Sequence, residues 1–308
     1  MEKISTLMAF SEGLLEMGAK YRNLVVLDAG LASAMKTSKF ALNFNDRYFN
    51  VGMAENNMVG IAAGMALKNK SPFVCSFAVF SSGRAWEEIR NCIAYPNLNV
   101  KIVGTHAGLM AGKDGVVHQA LEDIALMRVI PNMKVFCPAD YYETKAVMKY
   151  MCEDFGPSYL RLSKNAVPMV YDDGYKFKAG RGHIVKDGKD ATIFSTGSVL
   201  SEVMLAVDML EKTGLSIRVC NMCSIKPLDT ALVLDSAKTT KRLFSIEDHQ
   251  IDGGLGGVLA EVLSEAGAGI PFKRIGMNRF AESGSGYDLY RKYGLDSSGI
   301  FKSIKDCY

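Results

Sequence analysis

A chain of 308 residues, 48% hydrophobic and 22% charged, has the composition of an ordinary globular protein of about two domains. Its formal net charge of +3 gives no footprint for nucleic acid or an anionic membrane surface. No run approaches the ~18–20 apolar residues of a membrane span, and Met1 to Thr6 lack the charged-then-apolar pattern of a leader, so a cytoplasmic location is expected.

The first predicted element is a helix from Ser5 to Gly18, with Leu7, Phe10, Leu14 and Leu15 at helical spacing. Leu24–Asp28 reads as a buried strand ending in an acid. Tyr48 to Asn57 reads as a short strand, a tight turn at Gly52, and a helix whose first turn holds one carboxylate, Glu55. That helix continues through small residues to Ala66, which suits close packing on both sides. A lone acid in so confined a place serves a buried cation or a proton transfer.

Further strands are expected at Phe73–Phe77, Val100–Gly104, Lys134–Pro138 and Ser158–Leu162, with helices over Arg84–Ala94 and Tyr142–Cys152. Continuous apolar strands separated by helices indicate a parallel sheet covered on both faces. Asn165 to Arg181 breaks the rhythm with a proline and Asp172-Asp173-Gly174, and reads as a linker. A second α/β unit follows, with strands at Ala191–Ser195, Ser216–Asn221 and Arg242–Ile246 and helices over Ser201–Thr213 and Gly256–Ala266. The fold class is thus two doubly wound α/β domains, spanning residues 1–170 and 171–308.

Ligands of such sheets collect at the carboxyl ends of the strands. That rule gathers Asp28, Glu55, Phe77, Phe80 and His106 on one edge. Phe77 and Phe80 leave a strand end and enter a loop, where they serve as core or as a platform for a flat heteroaromatic ring. Of the four histidines, His106 and His118 flank one glycine-rich loop that also holds Asp114, a pattern suited to proton transfer and hydroxyl binding. The seven cysteines are scattered, as in a reducing compartment. Cys220 and Cys223 match C-x-x-C, but no second pair accompanies them and a buried strand is the better reading. Glu247 to Gly257 loosely resembles a phosphate cradle, although its acids would repel phosphate.

Together these residues resemble the thiamine-diphosphate enzymes of the transketolase family. The stretch through Glu55 is similar to the segment whose glutamate contacts the aminopyrimidine ring. Phe77, Phe80 and Arg84-Ala85-Trp86-Glu87 resemble the ring-stacking strand and following helix. Asp114 to Gln119 resembles the substrate loop, and Arg274 to Gly284 a motif of the C-terminal domain. The likeness covers nearly the whole chain in order, but the sequence has no Gly-Asp-Gly, the family's metal and diphosphate motif. The resemblance therefore implies a pyrimidine-binding domain followed by a C-terminal domain, in the C-terminal subunit of a split transketolase.

The resemblance further implies a partner N-terminal subunit supplying diphosphate and most Mg2+ (or Ca2+) binding, in an α2β2 assembly. A two-carbon glycolaldehyde unit would pass from a ketose to an aldose by way of a thiamine diphosphate ylide. Glu55, His106 and His118 would be catalytic. Glu55, Phe77 and Phe80 would hold the cofactor, and His106, Asp114, His118 and Lys164 the sugar. A deoxyxylulose-phosphate synthase or the β subunit of a 2-oxoacid dehydrogenase shares the domain order and is the alternative. Three positions that bind sugar phosphate in the family fall at Leu7, Ala34 and Lys164, and an expected aspartate falls at Gly30. Either Lys36, Lys39 or Arg161 compensates, or the substrate ends in something other than an ordinary phosphate, as in a sulfonated, branched or deoxy sugar.

Overall fold

The apolar runs of the first half form strands buried on both faces. The computed structural model describes residues 2–308. Its strands in the first half are β1 (Lys3–Ile4), β2 (Leu24–Asp28), β3 (Tyr48–Asn50), β4 (Ser71–Phe77), β5 (Lys101–Thr105), β6 (Lys134–Phe136), β7 (Ser158–Arg161) and β8 (Val167–Pro168). Those of the second half are β9 (His183–Lys186), β10 (Ala191–Ser195), β11 (Ile217–Asn221), β12 (Ser224–Lys226), β13 (Leu243–Gln250) and β14 (Phe272–Met277). Every residue of β2, β4, β5 and β7 is buried, as helices on both faces of a parallel sheet require.

The first sheet has seven strands in the order β12-β6-β7-β5-β4-β2-β3, and the second has five in the order β14-β13-β10-β11-β9. Both are parallel except at one edge, where β12 runs antiparallel to β6 and β9 antiparallel to β11. The doubly wound α/β architecture expected from the sequence is present in both halves. The short β12 comes from the second half of the chain yet closes the edge of the first sheet, so a backbone ladder joins the two units. One apolar core also runs across both, from Leu27, Val74 and Ile102 to Phe194, Leu243 and Leu255.

The first helix, α1 (Thr6–Lys20), is capped by Ser5, whose hydroxyl accepts from the Met8 amide at 3.1 Å. Its Phe10 and Leu14 are fully buried, each stabilising the fold by about 1.5–3 kcal/mol. Two short helices follow β2, α2 (Ala32–Met35) and α3 (Ser38–Asn43), and α4 (Glu55–Ala66) follows β3.

The segment expected as a linker is packed rather than loose. β8 pairs antiparallel with β1, and the buried Asp140 carboxylate accepts from the amides of Val170 and Tyr171 at 2.7 and 2.8 Å. Within the segment the Tyr175 hydroxyl donates to Glu143 Oε1 at 2.8 Å and Phe177 packs against the core of the first domain.

Candidate active site

β3 ends at Asn50, whose side chain accepts from the Gly52 amide at 2.9 Å. Gly52 has φ +74°, the left-handed conformation that glycine adopts at no steric cost. The turn delivers Glu55 as the first residue of α4, with its side chain only 3% exposed. A carboxylate so placed needs a partner. Arg84 Nη1 donates to its Oε2 at 2.8 Å, while its Oε1 meets only the Ser76 hydroxyl, at 3.4 Å. Neither Arg84 nor Ser76 was singled out as a site residue from sequence. The only signal for Arg84 was its place in the Arg84–Glu87 run.

Close packing of α4 on both sides does not hold within this chain. Met58, Val59, Ala62 and Ala63 are buried, but a Cβ added at Gly60 or Gly64 would meet nothing within 4 Å. One face packs on the sheet and the glycine face is open.

Phe77 ends β4, and the chain then enters a helical segment rather than the expected loop. Phe80–Arg84 and Ile89–Ala94 are π-helical, with the Ala85 amide bonded to Phe80 O at 3.3 Å, a widened turn frequent at functional sites. The rings of Phe77 and Phe80 stack at 5.9 Å between centroids and 24° between planes. The Arg84 guanidinium lies over Phe80, 4.4 Å from its centroid. His118 meets both phenylalanines edge-on, at 5.8 and 5.4 Å, and His106 lies 4.2 Å from Phe77.

His106 directly follows β5 and has φ +57°, a sparsely populated conformation for a residue with a Cβ. Thr105 Oγ1 lies 3.0 Å from its Nδ1. Burial, with help from Lys164, pushes its pKa down to about 4, so the imidazole is neutral near pH 7. The Nδ1 of His118 is buried without a hydrogen-bond partner. Lys164 Nζ lies 3.1 Å from Asp114 Oδ2, so those two candidates meet as a pair. Asp28, by contrast, holds its own loop: it accepts from the Leu31 amide at 2.6 Å and the Thr37 hydroxyl at 2.9 Å.

The loop from His106 to Gln119 is fastened to the second domain. At Gly108, φ is +77° and a Cβ would stand 2.1 Å from Asp248 Oδ2. That close approach lets the Leu109 amide donate to Asp248 Oδ1 at 2.9 Å. Gln119 Nε2 donates to Glu282 O at 3.0 Å, and the Ser283 hydroxyl to Lys113 O at 2.6 Å. The Arg274–Gly284 motif thus helps to set the loop. Arg161, which the sequence offered as a free cation, is buried and fully engaged. Its Nε donates to Asp123 Oδ2 at 2.8 Å and its Nη2 to Ala120 O at 3.1 Å and Asp248 O at 2.8 Å. It bridges the domains through Asp248.

The remaining motifs fall elsewhere. Glu247 fills the amides that a phosphate cradle would offer, accepting from Leu255 and Gly256 at 2.7 Å each. Cys220 and Cys223 are buried, and burial pushes both thiols up. No group of three or more His, Cys, Asp or Glu side chains suited to a metal occurs among the described residues. No helix of the described residues is long and apolar enough to cross a membrane.

Comparison with known proteins agrees with the two-domain fold. The family model described as transketolase, pyrimidine binding domain, matches residues 2–169, and that of the transketolase C-terminal domain matches residues 180–300. A putative transketolase C-terminal section from Methanocaldococcus jannaschii is 46% identical over 96% of this chain and 94% of its own length. A 6-deoxy-6-sulfo-D-fructose transketolase subunit from a Clostridium species is 35% identical over 95% of this chain and 91% of its own. The solved structure of a split gene transketolase, described as an inactive beta4 tetramer, superposes with a TM-score of 0.91 at 44% identity. It covers 99% of this chain and 98% of its own.

Proposed function

The chain belongs to the transketolase family, and on that premise we propose that it is the C-terminal subunit of a split transketolase, completed by a separate N-terminal subunit. The observation that carries the reading is the union of a buried helix-start carboxylate, a stacked phenylalanine pair and two histidines on one sheet edge. The division into a pyrimidine-binding domain, residues 1–170, and a C-terminal domain, residues 171–308, is part of the proposal. So is a heterotetramer of two such pairs.

The family depends on thiamine diphosphate, and the residues fit its aminopyrimidine ring. Glu55 Oε1 is free of any strong partner, the Phe77–Phe80 stack offers an aromatic face, and His118, whose Nδ1 is buried without a hydrogen-bond partner, packs edge-on against that stack. The cofactor, when bound, supplies the carbanion chemistry by which a bond between two sugar carbons breaks and reforms. The sequence carries no Gly-Asp-Gly, so the diphosphate and its Mg2+ are assigned to the partner.

Each group of this chain then has a task. Glu55 would hydrogen-bond to the ring nitrogen of the aminopyrimidine and share a proton with it, which favours the imino form of the ring. Phe77 and Phe80 fix its plane. His106, neutral and held by Thr105, hydrogen-bonds a sugar oxygen. His118 donates or accepts a proton at the reacting oxygen. Asp114 takes a sugar hydroxyl, with Lys164 beside it. Positioning of this kind supplies much of the rate.

The test is reconstitution. With thiamine diphosphate and Mg2+ the purified chain is expected to be inactive, and adding the N-terminal subunit to produce two-carbon transfer from a ketose phosphate to an aldose. Full activity from this chain alone, or transfer from pyruvate in place of a ketose, would sink the reading.

A further inference from the structure

We propose that Thr105 and Met35 fix the tautomer of His106, with the proton on Nδ1, and so make its Nε2 an acceptor that selects a hydroxyl of the sugar. The identity of the ligand rests on the transketolase reading and deepens it. The tautomer rests on hydrogen bonding within this chain.

The relay starts in the loop after β2. Asp28 holds that loop through the Leu31 amide at 2.6 Å and the Thr37 hydroxyl at 2.9 Å. The Ser11 hydroxyl donates to Lys36 O at 2.7 Å. Between these anchors Met35 ends α2, with its amide bonded to Leu31 O at 2.8 Å and its side chain fully buried. The thioether is thereby set against β5, where the Thr105 hydroxyl donates to Met35 Sδ at 3.0 Å.

Thr105 is also fully buried, so no bulk water competes for its hydroxyl. That hydroxyl has one proton to give and lone pairs with which to receive. Oxygen and the larger sulfur atom at 3.0 Å stand closer than unbonded atoms settle, so the proton lies between them. His106 Nδ1, 3.0 Å from the same oxygen, then meets only lone pairs and is the donor. Burial pushes the ring pKa down to about 4, so near pH 7 the imidazole carries a single proton. The bond made by Nδ1 decides where that proton sits and leaves Nε2 bare.

Thr105 is the only hydrogen-bond partner of the His106 ring among the described residues. The ring itself lies 4.2 Å from Phe77, beside the aromatic platform. A bare ring nitrogen accepts and cannot donate. It takes a hydrogen bond from a hydroxyl and offers none to a carbonyl, phosphate or sulfonate oxygen. The substrate group that meets His106 is therefore an alcohol, and a sugar without a hydroxyl there leaves the acceptor unpaired. Thr105 and Met35 touch no substrate in this scheme; they are positioning residues that act through His106.

The experiment uses the full chain, isotope-labelled in the ring nitrogens of its four histidines, with His106→Gln to assign the signals of residue 106. Correlation of each nitrogen with the ring carbon-bound protons identifies the protonated one. In wild type it is expected to be Nδ1. Met35→Leu keeps the volume and removes the sulfur acceptor, which frees the Thr105 hydroxyl to donate to Nδ1. Thr105→Val removes the hydroxyl. Both are expected to move the proton to Nε2, and Thr105→Ser to keep it on Nδ1. A wild-type His106 protonated on Nε2, or one tautomer common to all four proteins, overturns the proposal. In the reconstituted complex, kcat/KM for a ketose phosphate is expected to fall about three- to tenfold in Thr105→Val, the range of one hydrogen bond, and to recover in Thr105→Ser. Full kcat/KM in Thr105→Val also overturns it. If wild type transfers no two-carbon unit from any ketose, the transketolase reading fails, while the nitrogen spectrum still decides the tautomer.

Discussion

The Arg84 guanidinium holds the buried Glu55 carboxylate by a single oxygen, at 2.8 Å, and lies over the Phe80 ring at 4.4 Å. One side chain thus links the acid to the aromatic platform. The second carboxylate oxygen is left with a 3.4 Å contact to Ser76, free to share a proton with a bound ring nitrogen.

Glu55→Gln removes the charge but keeps the shape. Arg84 is half exposed and can turn to water, so the fold should persist, with an unchanged far-ultraviolet dichroism spectrum. Turnover of the reconstituted complex should fall by about 10²–10⁴-fold, the range of a lost acid–base group. Activity near wild type would remove Glu55 from the mechanism.

Arg84→Met leaves Glu55 buried without its cation. Because the arginine is half exposed, the expected cost is about 1 kcal/mol, below that of a fully buried pair. Turnover should drop about tenfold as the carboxylate loses its orientation, and Arg84→Lys should recover part of it. Thermal unfolding and steady-state rates check both parts; an Arg84→Met enzyme with full activity contradicts the orienting role.

Burial pushes both His106 and His249 down to a pKa of about 4 from an ordinary 6.5. Between those values the unfolded chain binds protons that the folded chain refuses. The contribution of these two imidazoles to stability is therefore fully present above 6.5 and is lost as pH falls toward 4. Their ring-proton resonances should stay fixed between about pH 5.5 and 8, and a midpoint near 6.5 for either one contradicts the burial argument.

Arg161→Met strips the cation from buried Asp123 and removes two bonds to carbonyls, of which that to Asp248 crosses the domain boundary. Breaking a buried pair by removing one partner costs about 3–5 kcal/mol. Urea denaturation should register that loss, with turnover per folded molecule little changed. A loss under about 1 kcal/mol would mean that the bridge is dispensable.

Much of the fold was legible because it is written locally. The apolar runs Leu24–Asp28 and Ala191–Ser195 are strands within a residue of their expected ends, since a strand buried on both faces must be apolar throughout. Glu55 could be placed at a helix start because the glycine turn and small-residue helix around it are contiguous. The helical entry at Phe80 and the pairing of β8 with β1 were not legible. The first depends on a π-turn that no periodicity encodes, and the second joins Ile4 to Val167, far apart in the chain.

Residue order determined the candidates: an acid, two phenylalanines, two histidines and a run of small residues, each in an element set by its own periodicity. Tertiary structure alone decided their partners. Arg84 reaches Glu55 across 29 positions and Arg161 reaches Asp123 across 38, each choice made by the cost of burying a charge without its opposite. That cost arises only when the chain closes around the group, and so Arg161 became a strut between domains.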